Sequence, residues 1–596
     1  MQAFLLRRLG QVAVTLFGVV SLIFFLQRLT GDPTYLLVPE TATQADIDAM
    51  RHTLGFDRPL FVQYLSFLVQ IAGFDLGQSV VQNVPVSTII ASRLPYTLQL
   101  AAGALLVACG LGIPVGIVLA LYRKSAAARV LAALVFAAQS MPTFWSGILL
   151  IMLFAVTLGW LPPSSIGGFA NLVMPSIALG LLSMATFARI TRTAILDELT
   201  REYVRSARAR RHDGPAAGAP PRPQCIDTGD HGGGHRDIQP AGGSSHRRDR
   251  IRMAGPGPGD GAVDPGTRLH GGAGRGPDGR LRDHRAQPAG RPALQRGRPA
   301  HPPGRRAAMS ATALTSVVPG DGRRRWNAGL WLPVCVIVLF VLLALAAPLV
   351  APYDPNAQNL LGRMKPPGTT SRAFHYLLGS DELGRDLLTR LIHGARVSLA
   401  VAFAAALLSG TVGVVLGMLA GYLRGWVEVV VMRVVDIFLS VPAILLAILT
   451  VAVLGPGLLN VIVVLALTRW PRYARVAYGQ TLGIANTPYV RLATLMGAGP
   501  LRILFRHVLP NIFGAVTVVA TLEFGLMVLF EAGLSFLGLG VQPPTASWGS
   551  MLSTGRNYLA TAWWIATFPG LCLFTLVLAI NLIGDRLRDR FDPRLQ

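Results

Sequence analysis

The stretch LGQVAVTLFGVVSLIFFLQRL, which runs from Leu9 to Leu29, decides the fold class of this chain. A helix needs about 20 apolar residues to cross the hydrocarbon core of a bilayer, and this stretch is long enough. Arg7 and Arg8 stand directly before it. A secretory signal peptide would have a shorter apolar run followed by a small-residue cleavage site, and neither is found here. The stretch therefore predicts a membrane-spanning helix.

Apolar stretches recur along the chain, and the overall composition agrees with them. Of the 596 residues, 52% are hydrophobic and only 14% are charged. A soluble protein of this size would need far more charged residues to cover its surface. We therefore expect an all-α polytopic membrane protein.

The predicted spans follow one plan twice. In each half, one span is followed by a long polar loop, three further spans and a loop rich in arginine. Such a repeat is typical of paired transport units. The first unit, 1–210, stops after four spans, whereas the second unit, 309–596, has six. The spans are expected near 9–29, 97–122, 130–158 and 173–188 in the first unit, and near 330–350, 397–422, 429–453, 458–467, 512–534 and 563–583 in the second.

The net charge of +24 reflects the predicted topology rather than a nucleic-acid partner. Among the 54 basic residues only Lys124 and Lys365 are lysine, and most arginines flank apolar spans. Clusters at the N-terminus, after the second span and after the fourth span mark these segments as cytoplasmic under the positive-inside rule. We expect a cytoplasmic N-terminus, contact with membrane lipid and no nucleic-acid partner.

The segment 211–308 resembles neither unit. Gly and Pro occupy 35 of its 98 positions, and its 17 arginines face 9 aspartates. Taken as written, this composition predicts a disordered linker. A linker rich in arginine and glycine could also bind RNA or anionic lipid. A different interpretation is that the segment is translated out of frame.

Dropping one nucleotide at Arg211 changes what the codons of this segment can encode. The codons of Asp230–Gln239 then permit the apolar string I-T-V-V-G-I-E-I-S, and those of His246–Gly259 permit V-E-T-V-F-A-W-P-G-L-G. If Ser310 is coded AGY, a stop codon overlaps the start codon of Met309. The shifted frame would supply the spans that the first unit lacks. We therefore expect an off-frame segment and a truncated first unit.

Nine motifs carry a resemblance to a known family. Those of the second unit are LGSDELGRDLLTRLIHGARVSL (Leu378–Leu399), YVRLATLMGAGPLRILFRHVLPN (Tyr489–Asn511), FLGLGVQPPTASWGSML (Phe536–Leu552) and NLIGDRLRDRFDPRL (Asn581–Leu595). Those of the first unit are GDP (Gly31–Pro33), LGFDRPLFVQYL (Leu54–Leu65), DLGQS (Asp75–Ser79), RLPYTLQL (Arg93–Leu100) and EYVRSARAR (Glu202–Arg210). With these motifs the chain resembles two joined permease subunits of the ABC importers for dipeptides, oligopeptides and nickel.

The resemblance implies two type I ABC importer transmembrane units in the cytoplasmic (inner) membrane. It also implies an extracytoplasmic solute-binding protein and separate cytoplasmic ABC ATPase subunits as partners. A phosphate-binding loop needs Gly-Lys followed by Ser or Thr. Lys124 follows Arg123 and Lys365 follows Met364, so this chain has no such loop. We expect no catalytic residue, cofactor or metal in this chain, and ATP used by the partner subunits.

The resemblance places the ATPase-coupling loops in the arginine-rich segment of each unit. In the second unit, a short helix at Tyr489–Met496 would be followed by a turn at Gly497, and Pro510 would begin the returning span. The family has Glu-Ala-Ala, three residues and Gly here, so Arg491 replaces its Glu. In the first unit, position 211 aligns with Gly497, and the shifted frame permits Gly there. The expected coupling residues are Glu202, Tyr203, Val204, Arg205, Ala207, Tyr489, Val490, Arg491, Ala493, Gly497, His507 and Pro510.

The first external loop of the second unit carries a compact charged motif. We expect local ion pairs in a turn near the docked binding protein, formed by Gly379, Asp381, Gly384, Arg385 and Asp386. A turn without any functional role has the same pattern. Trp548, with Pro543 and Pro544, is expected to shape the external loop after the fifth span. A position at the membrane interface, where tryptophan is enriched, is favoured for it over contact with the substrate.

The sequence favours a permease that moves peptides, nickel or similar small solutes with energy from separate ATPases. A secondary transporter or channel is the first alternative, and it would need intramembrane ionisable residues such as Asp436 and Glu523. Both lie near predicted span ends, which weakens that alternative. A second alternative is a frameshifted product without function.

Overall fold

A computed structural model describes residues 2–29, 43–53, 55–79, 82–165, 167–204, 328–371 and 374–591. The segment 211–308 and the predicted coupling residues Arg205 and Ala207 lie outside these ranges. The described residues form helices, with one antiparallel hairpin whose strands are β1 (Thr369–Ser371) and β2 (Phe374–Tyr376). The all-α prediction is therefore confirmed for the described part of the chain.

The helices of the first unit cover its four predicted spans and add two short helices before the second span. They are α1 (Gln2–Leu29), α2 (Gln44–Thr53), α3 (Leu60–Ala72), α4 (Val86–Leu121), α5 (Ala126–Ser140), α6 (Thr143–Leu150, continued as a π-helix over Ile151–Thr157) and α7 (Phe169–Leu199).

The second unit repeats this order and continues it. Its helices are α8 (Ala328–Leu345), α9 (Ala347–Val350), α10 (Leu387–Leu423), α11 (Gly425–Ser440), α12 (Ala443–Leu454), α13 (Leu458–Ala485), α14 (Pro488–Leu495), α15 (Pro500–Ile503), α16 (Leu509–Phe536), α17 (Trp548–Gly555) and α18 (Trp564–Phe591).

Among the described residues, 6 helices are long and apolar enough to cross a membrane, or up to 8 spans if each of two bent helix pairs counts as one. The apolar part of α8, Trp331–Leu345, is shorter than that criterion, and α13 does not meet it. Most helices also extend beyond the predicted spans, as α10 does at both ends of 397–422.

Two predicted spans, 130–158 and 429–453, are each two helices joined at a sharp bend. The α5–α6 pair is bent by 107° and the α11–α12 pair by 93°. Met141 and Val441, at the two breaks, both have extended backbone and both precede a proline, Pro142 and Pro442. Proline disfavours helical geometry in the residue before it and donates no backbone hydrogen bond, which explains why both helices break here.

Glycines allow the same close helix pair in each unit. In the first unit, α4 crosses α7 where Gly112 and Gly116 meet the backbone of α7, and a Cβ atom at either position would come closer than 3.0 Å to a carbonyl oxygen. In the second unit, Gly413 and Gly417 place α10 against α13 in the same way. Small residues four apart let membrane helices approach at backbone distance. The predicted repeat is therefore visible in the packing.

The two units pack against each other. Just past its midpoint, α1 lies against α11, with Gly18 next to the side chain of Ile437. The α5–α6 bend lies against α16 and α18, where the Phe144 and Phe536 rings stack at 5.1 Å between centroids. At the same boundary the backbone of Gly570 packs directly on the Trp145 ring. One hydrophobic core therefore includes side chains of both units.

The prediction that Trp548 lies at the membrane interface is wrong. Its side chain is fully buried in the protein core, and its Nε1 donates a hydrogen bond to the Leu391 carbonyl at 3.0 Å. Ser547 caps α17 in front of it by accepting from the Ser550 amide. A buried indole needs such an acceptor, and the buried N-terminal part of α10 supplies one.

Candidate functional site

A cavity of about 1020 Å³ lies between the two units. Its walls are mostly apolar, with Phe144 from α6, Leu182 from α7 and Leu529 from α16. The polar residues in its lining are few, and they are Gln139, Thr143, Arg472, Arg475, Glu523 and Asn581. An apolar chamber with a few polar groups is the usual form of a site for a small molecule.

Glu523 holds two arginines of α13 at one side of this cavity. Its carboxylate accepts from Arg472 Nη1 at 3.1 Å and from Arg469 Nη1 at 3.5 Å. Arg469 is 2% exposed and lies over the Phe530 ring, 3.8 Å from its centroid. Glu523 sits near the middle of α16, not near a span end as the sequence suggested. Buried charges in a membrane helix require such partners.

Asp436 of α11, which does not itself line the cavity, makes a second ion pair with one of the lining arginines. It accepts from Arg475 Nη2 at 2.6 Å, and Arg433 Nη1 lies 3.5 Å from its other oxygen. Each of the two carboxylates therefore faces two guanidinium groups. Among the residues that line the cavity, two arginines, Arg472 and Arg475, stand against one carboxylate, Glu523. The cavity thus favours an anionic group over a cationic one.

Arg189 occupies in α7 the place that Arg475 occupies in α13. The carbonyls next to Gly112 and Gly413 belong to Met184 and Trp470, so the two helices align with an offset of 286 residues. Arg189 Nη2 donates to Gln139 Oε1, and Gln139 lines the cavity. Each unit therefore directs one arginine of this pair toward the cavity wall.

The charged motif after the hairpin forms the predicted turn. Asp381 accepts from the Arg385 amide at 2.9 Å and from Arg385 Nε at 2.6 Å, and Arg390 Nε lies 3.5 Å away. Asp381 is 3% exposed. Because removing one partner of a buried ion pair leaves an uncompensated charge, this turn is held tightly.

Two glycines and a tryptophan fix the same turn. Gly379 and Gly384 have positive φ values of 92° and 73°. A Cβ atom on Gly379 would strike Trp564, and one on Gly384 would strike the Asn359 carbonyl. The Trp564 Nε1 donates to the Ser380 carbonyl at 3.1 Å. The structure thus joins this turn to the start of α18.

Two acidic groups of the turn keep their protons to a higher pH than usual. Burial, and then the charge of Asp381, raises the pKa of Glu382. Burial also raises the pKa of Asp386, although hydrogen bonds from Thr389 oppose the shift. Asp386 caps α10 by accepting from the Thr389 amide at 2.8 Å and from its hydroxyl at 2.7 Å. Ionisation of Glu382 and Asp386 therefore weakens the turn.

The loop after α13 has the predicted helix and turn. Helix α14 covers Pro488–Leu495, and Gly497 follows with a φ of 85°. Pro510 lies in the first turn of α16, where its missing amide hydrogen costs no helical bond. Val490 is buried in the protein core and fixes the helix to the membrane domain.

The remaining predicted residues of this loop are brought together at its surface. The Tyr489 and His507 rings lie 6.4 Å apart, and Asn511 Nδ2 donates to the Tyr489 hydroxyl at 3.2 Å. Arg491 is exposed, whereas Ala493 is half-buried. Large apolar side chains are exposed beside them, and these are Leu492, Leu495, Met496, Leu501 and Phe505. Exposed apolar patches of this kind are typical of interaction surfaces.

In the first unit the corresponding segment begins in the same way. Glu202, Tyr203 and Val204 are helical, and the Tyr203 hydroxyl donates to Glu198 Oε1. Tyr203 and Tyr489 are 286 residues apart, the offset found for α7 and α13. The two predicted coupling segments therefore follow equivalent helices.

Comparison with known proteins identifies both units. The family described as binding-protein-dependent transport system inner membrane component matches residues 112–213 and 413–596. The N-terminal component of such systems matches residues 1–101, and the N-terminal transmembrane domain of oligopeptide transport permease C matches 330–367. A relative, the di/tripeptide transport system permease protein DppC of Pseudomonas aeruginosa (strain UCBPP-PA14), is 45% identical over 261 residues, which are 44% of this chain and 86% of the relative.

The chain belongs to the inner membrane components of binding-protein-dependent transport systems. The prediction of two joined importer permease units is thereby confirmed, as is that of a multi-pass inner membrane protein. The family and its relatives are transport permeases rather than enzymes.

Further similarities of this permease are of one unit's length. The dipeptide transport system permease protein DppC of Escherichia coli (strain K12) is 42% identical over 275 residues, 46% of this chain and 91% of the relative. A solved structure of the MetNI methionine ABC transporter in an inward-facing conformation matches with 23% identity and a TM-score of 0.30, covering 35% of this chain and 98% of the other.

The charge network of the permease cavity was missed at the sequence level. Asp436 and Glu523 were noted there, but not their arginine partners on α13. The signal was present in the sequence, because Arg469, Arg472 and Arg475 recur every third residue and so share one helix face. The sequence pattern instead places Arg472 and Arg475 in the arginine-rich cytoplasmic loop, because both follow the predicted end of the span at 467.

Proposed function

We propose that this permease moves short peptides across the inner membrane. The observation that carries the proposal is the 45% identity to a di/tripeptide permease over 86% of that protein's length. The relatives reported above are named for peptides, so we narrow the predicted solutes to peptides and no longer include nickel. An extracytoplasmic binding protein would deliver the peptide, and it would pass through the cavity between the units.

Separate cytoplasmic ATPase subunits would supply the energy. Helix α14, with Val490 buried in the membrane domain and Leu495 exposed, has the form of a short helix that seats in a partner's groove. Closure of the ATPases on ATP would push α14 and the segment beginning at Glu202. Because α14 is tied to α16 through the Tyr489–Asn511 contact, that movement would reach the cavity wall.

The orientation of the permease follows from its charges. Cytoplasmic coupling segments at both units require a cytoplasmic N-terminus, in agreement with Arg7 and Arg8 before α1. The turn at Gly379–Asp386 then lies outside, where a binding protein could contact it. The tight packing of that turn on Trp564 supports a rigid docking surface.

We also propose that the first unit is truncated at about residue 210 and that 211–308 is an off-frame segment. The family match in the first unit ends at 213, whereas the match in the second unit continues to 596. That early end coincides with the position at which the shifted frame begins. The second unit would then begin at Met309.

A secondary transporter or channel receives no support from the cavity. Both candidate ion-coupling acids, Asp436 and Glu523, are paired with arginines. Guanidinium groups that already occupy the oxygens of these acids compete with a proton or sodium ion for them.

The proposal is tested with ATP hydrolysis by the reconstituted system. The frame-restored units are placed in liposomes with their ATPases and binding protein. We expect hydrolysis to rise when the binding protein is loaded with a dipeptide and not when nickel is supplied instead. Stimulation by nickel alone, or by neither solute, would contradict the peptide assignment.

A further inference from the structure

Two arginines at the cavity have binding capacity that the protein does not use. The Arg472 and Arg475 side chains are 52% and 56% exposed, and both line the cavity. Each donates through one terminal nitrogen to a carboxylate, Arg472 to Glu523 and Arg475 to Asp436. Within the described part of the chain, their other N–H groups have no partner. A guanidinium group has five donors in a planar fork, so both can bind a second anion.

The excess positive charge at the cavity favours binding of such an anion. Two lining arginines, Arg472 and Arg475, stand against a single lining carboxylate, Glu523, beside the apolar walls formed by Phe144 and Leu529. Excess positive charge next to an apolar chamber is costly unless a partner neutralises it. A bound anion would therefore be held more strongly here than at an open surface.

The other unit offers a neutral donor at the same cavity. Gln139 accepts from Arg189 through its amide oxygen, which leaves its amide nitrogen with two hydrogens to donate. Gln139 lines the cavity as Arg472 and Arg475 do. Donors from both units therefore border one chamber.

Resting on the proposed function, we propose that Arg472 and Arg475 form a subsite for the terminal carboxylate of the transported peptide. The two residues are three apart on α13, so their guanidinium groups lie on one helix face. Arginine binds carboxylates through paired, charge-assisted hydrogen bonds. The two oxygens of Glu523 are already taken by arginines, and its side chain is 5% exposed. The subsite therefore recognises the carboxyl end of the peptide and not its ammonium end.

The test measures which end of a dipeptide this permease recognises. The frame-restored pair of permeases, in lipid nanodiscs, is photo-labelled with radioactive alanyl-photoleucine, and the labelled residues are mapped by mass spectrometry. Unlabelled Ala-Leu, its C-terminal amide and its N-acetyl form compete with the probe. We expect label on cavity residues, and competition by Ala-Leu and N-acetyl-Ala-Leu. The amide should compete roughly tenfold or more weakly, because it lacks the charge that the arginines bind.

Variants separate this subsite from a general effect of charge. R472Q and R475Q should each reduce labelling, and the double variant should abolish the difference between the acid and the amide. R472K keeps the charge and should retain part of the labelling, which shows that the site still folds. R586Q, which changes an exposed arginine at the end of α18, is the matched control and should label as the wild type does.

Negative results of this test distinguish an error in the subsite from an error in the proposed function. Equal competition by acid and amide, label outside the cavity, or equal displacement by inorganic phosphate would overturn the carboxylate subsite and leave a peptide permease standing. No specific labelling of the restored pair without substitutions by any peptide would contradict the proposed function together with the subsite.

Discussion

Asn581 of the second unit donates a hydrogen bond from Nδ2 to Ser140 Oγ of the first unit, across a distance of 3.1 Å. The two residues are 441 positions apart in the chain. Ser140 is fully buried at the α5–α6 bend, and Asn581 lines the cavity. This contact therefore joins the bend of one unit to the last helix of the other at the cavity wall.

Replacing Asn581 should weaken the packing of the two units against each other. Asn581→Ala removes the donor and leaves the Ser140 hydroxyl with its bond to the Phe136 carbonyl alone. We expect a loss of about 0.5–1.5 kcal/mol, the usual net value of a neutral hydrogen bond. Thermal unfolding in detergent measures it. Thr517→Ala, whose hydroxyl bonds within its own helix, is the control, and an equal loss in both variants would argue against a special role for the contact.

Two glycines of the second unit should respond oppositely to alanine. A Cβ on Gly417 would come closer than 3.0 Å to the Ala474 carbonyl oxygen, so Gly417→Ala must push α10 from α13. We expect a destabilisation of about 1–3 kcal/mol. Gly479 has open space around it, and Gly479→Ala should stabilise α13 by up to about 1 kcal/mol through helix propensity. Comparable unfolding temperatures for the two variants would disprove the close approach of these helices.

The stability of the turn at Gly379–Asp386 should depend on pH through Glu382. The folded protein raises the pKa of Glu382 above its ordinary value of 4.5, so the folded state binds this proton more tightly than the unfolded chain. Stability then falls as the pH rises from 4.5 through the raised pKa. Glu382→Gln should remove that part of the decline. The melting temperature of the variant, relative to wild type, should therefore be higher near neutral pH than at pH 4.5.

Asp46 provides a control of opposite sign. Hydrogen bonds from Thr43 lower the pKa of Asp46. The Asp46 carboxylate therefore stabilises the fold at a pH above the ordinary value of 3.8, and this stabilisation is lost as the pH falls through the lowered pKa. The melting temperature of Asp46→Asn should therefore lie below that of wild type near neutral pH, and the difference should become smaller as the pH falls. If both variants changed in the same direction with pH, the assignment to Glu382 would fail.

The exposed apolar side chains of α14 should decide binding of the ATPase. Leu495→Ser combined with Met496→Ser removes two side chains that are 84% and 80% exposed in the permease. Full burial of such a side chain contributes about 1.5–3 kcal/mol, so binding should weaken at least tenfold. Leu377→Ser changes a half-exposed leucine beside the predicted external turn and should leave binding unchanged. Surface plasmon resonance with the purified ATPase would show a different site if both variants bound equally well.

The sequence was sufficient for the order of the helices but not for their shapes. Long apolar runs such as Leu9–Leu29 predict a span by composition alone, and the helix at Gln2–Leu29 follows. The bends at Met141 and Val441 depend on the prolines that follow, and each proline lies inside an otherwise continuous apolar run. A hydropathy pattern averages over such a break, so both pairs were predicted as single spans.

The site was only partly predictable for a similar reason. The turn at Gly379–Asp386 depends on neighbours in sequence, and its five predicted residues do come together. The cavity instead depends on contacts between helices, such as Glu523 with Arg469, which are 54 residues apart. The position of Trp548 was predicted wrongly for the same reason, because its hydrogen-bond acceptor, the Leu391 carbonyl, is 157 residues away. A local pattern in the sequence does not predict contacts between residues so far apart in the chain.

The measurement that most directly tests this account is ATP-dependent uptake of a radioactive dipeptide into liposomes with the ATPases and binding protein. It compares two samples. One is the unaltered 596-residue chain, whose length is confirmed by intact-protein mass, and the other is the pair of permeases obtained by deleting one nucleotide at codon 211. We predict uptake that requires ATP with the restored pair and none with the chain as sequenced. Uptake without ATP, uptake by the unaltered chain, or no peptide uptake by the restored pair would contradict the account.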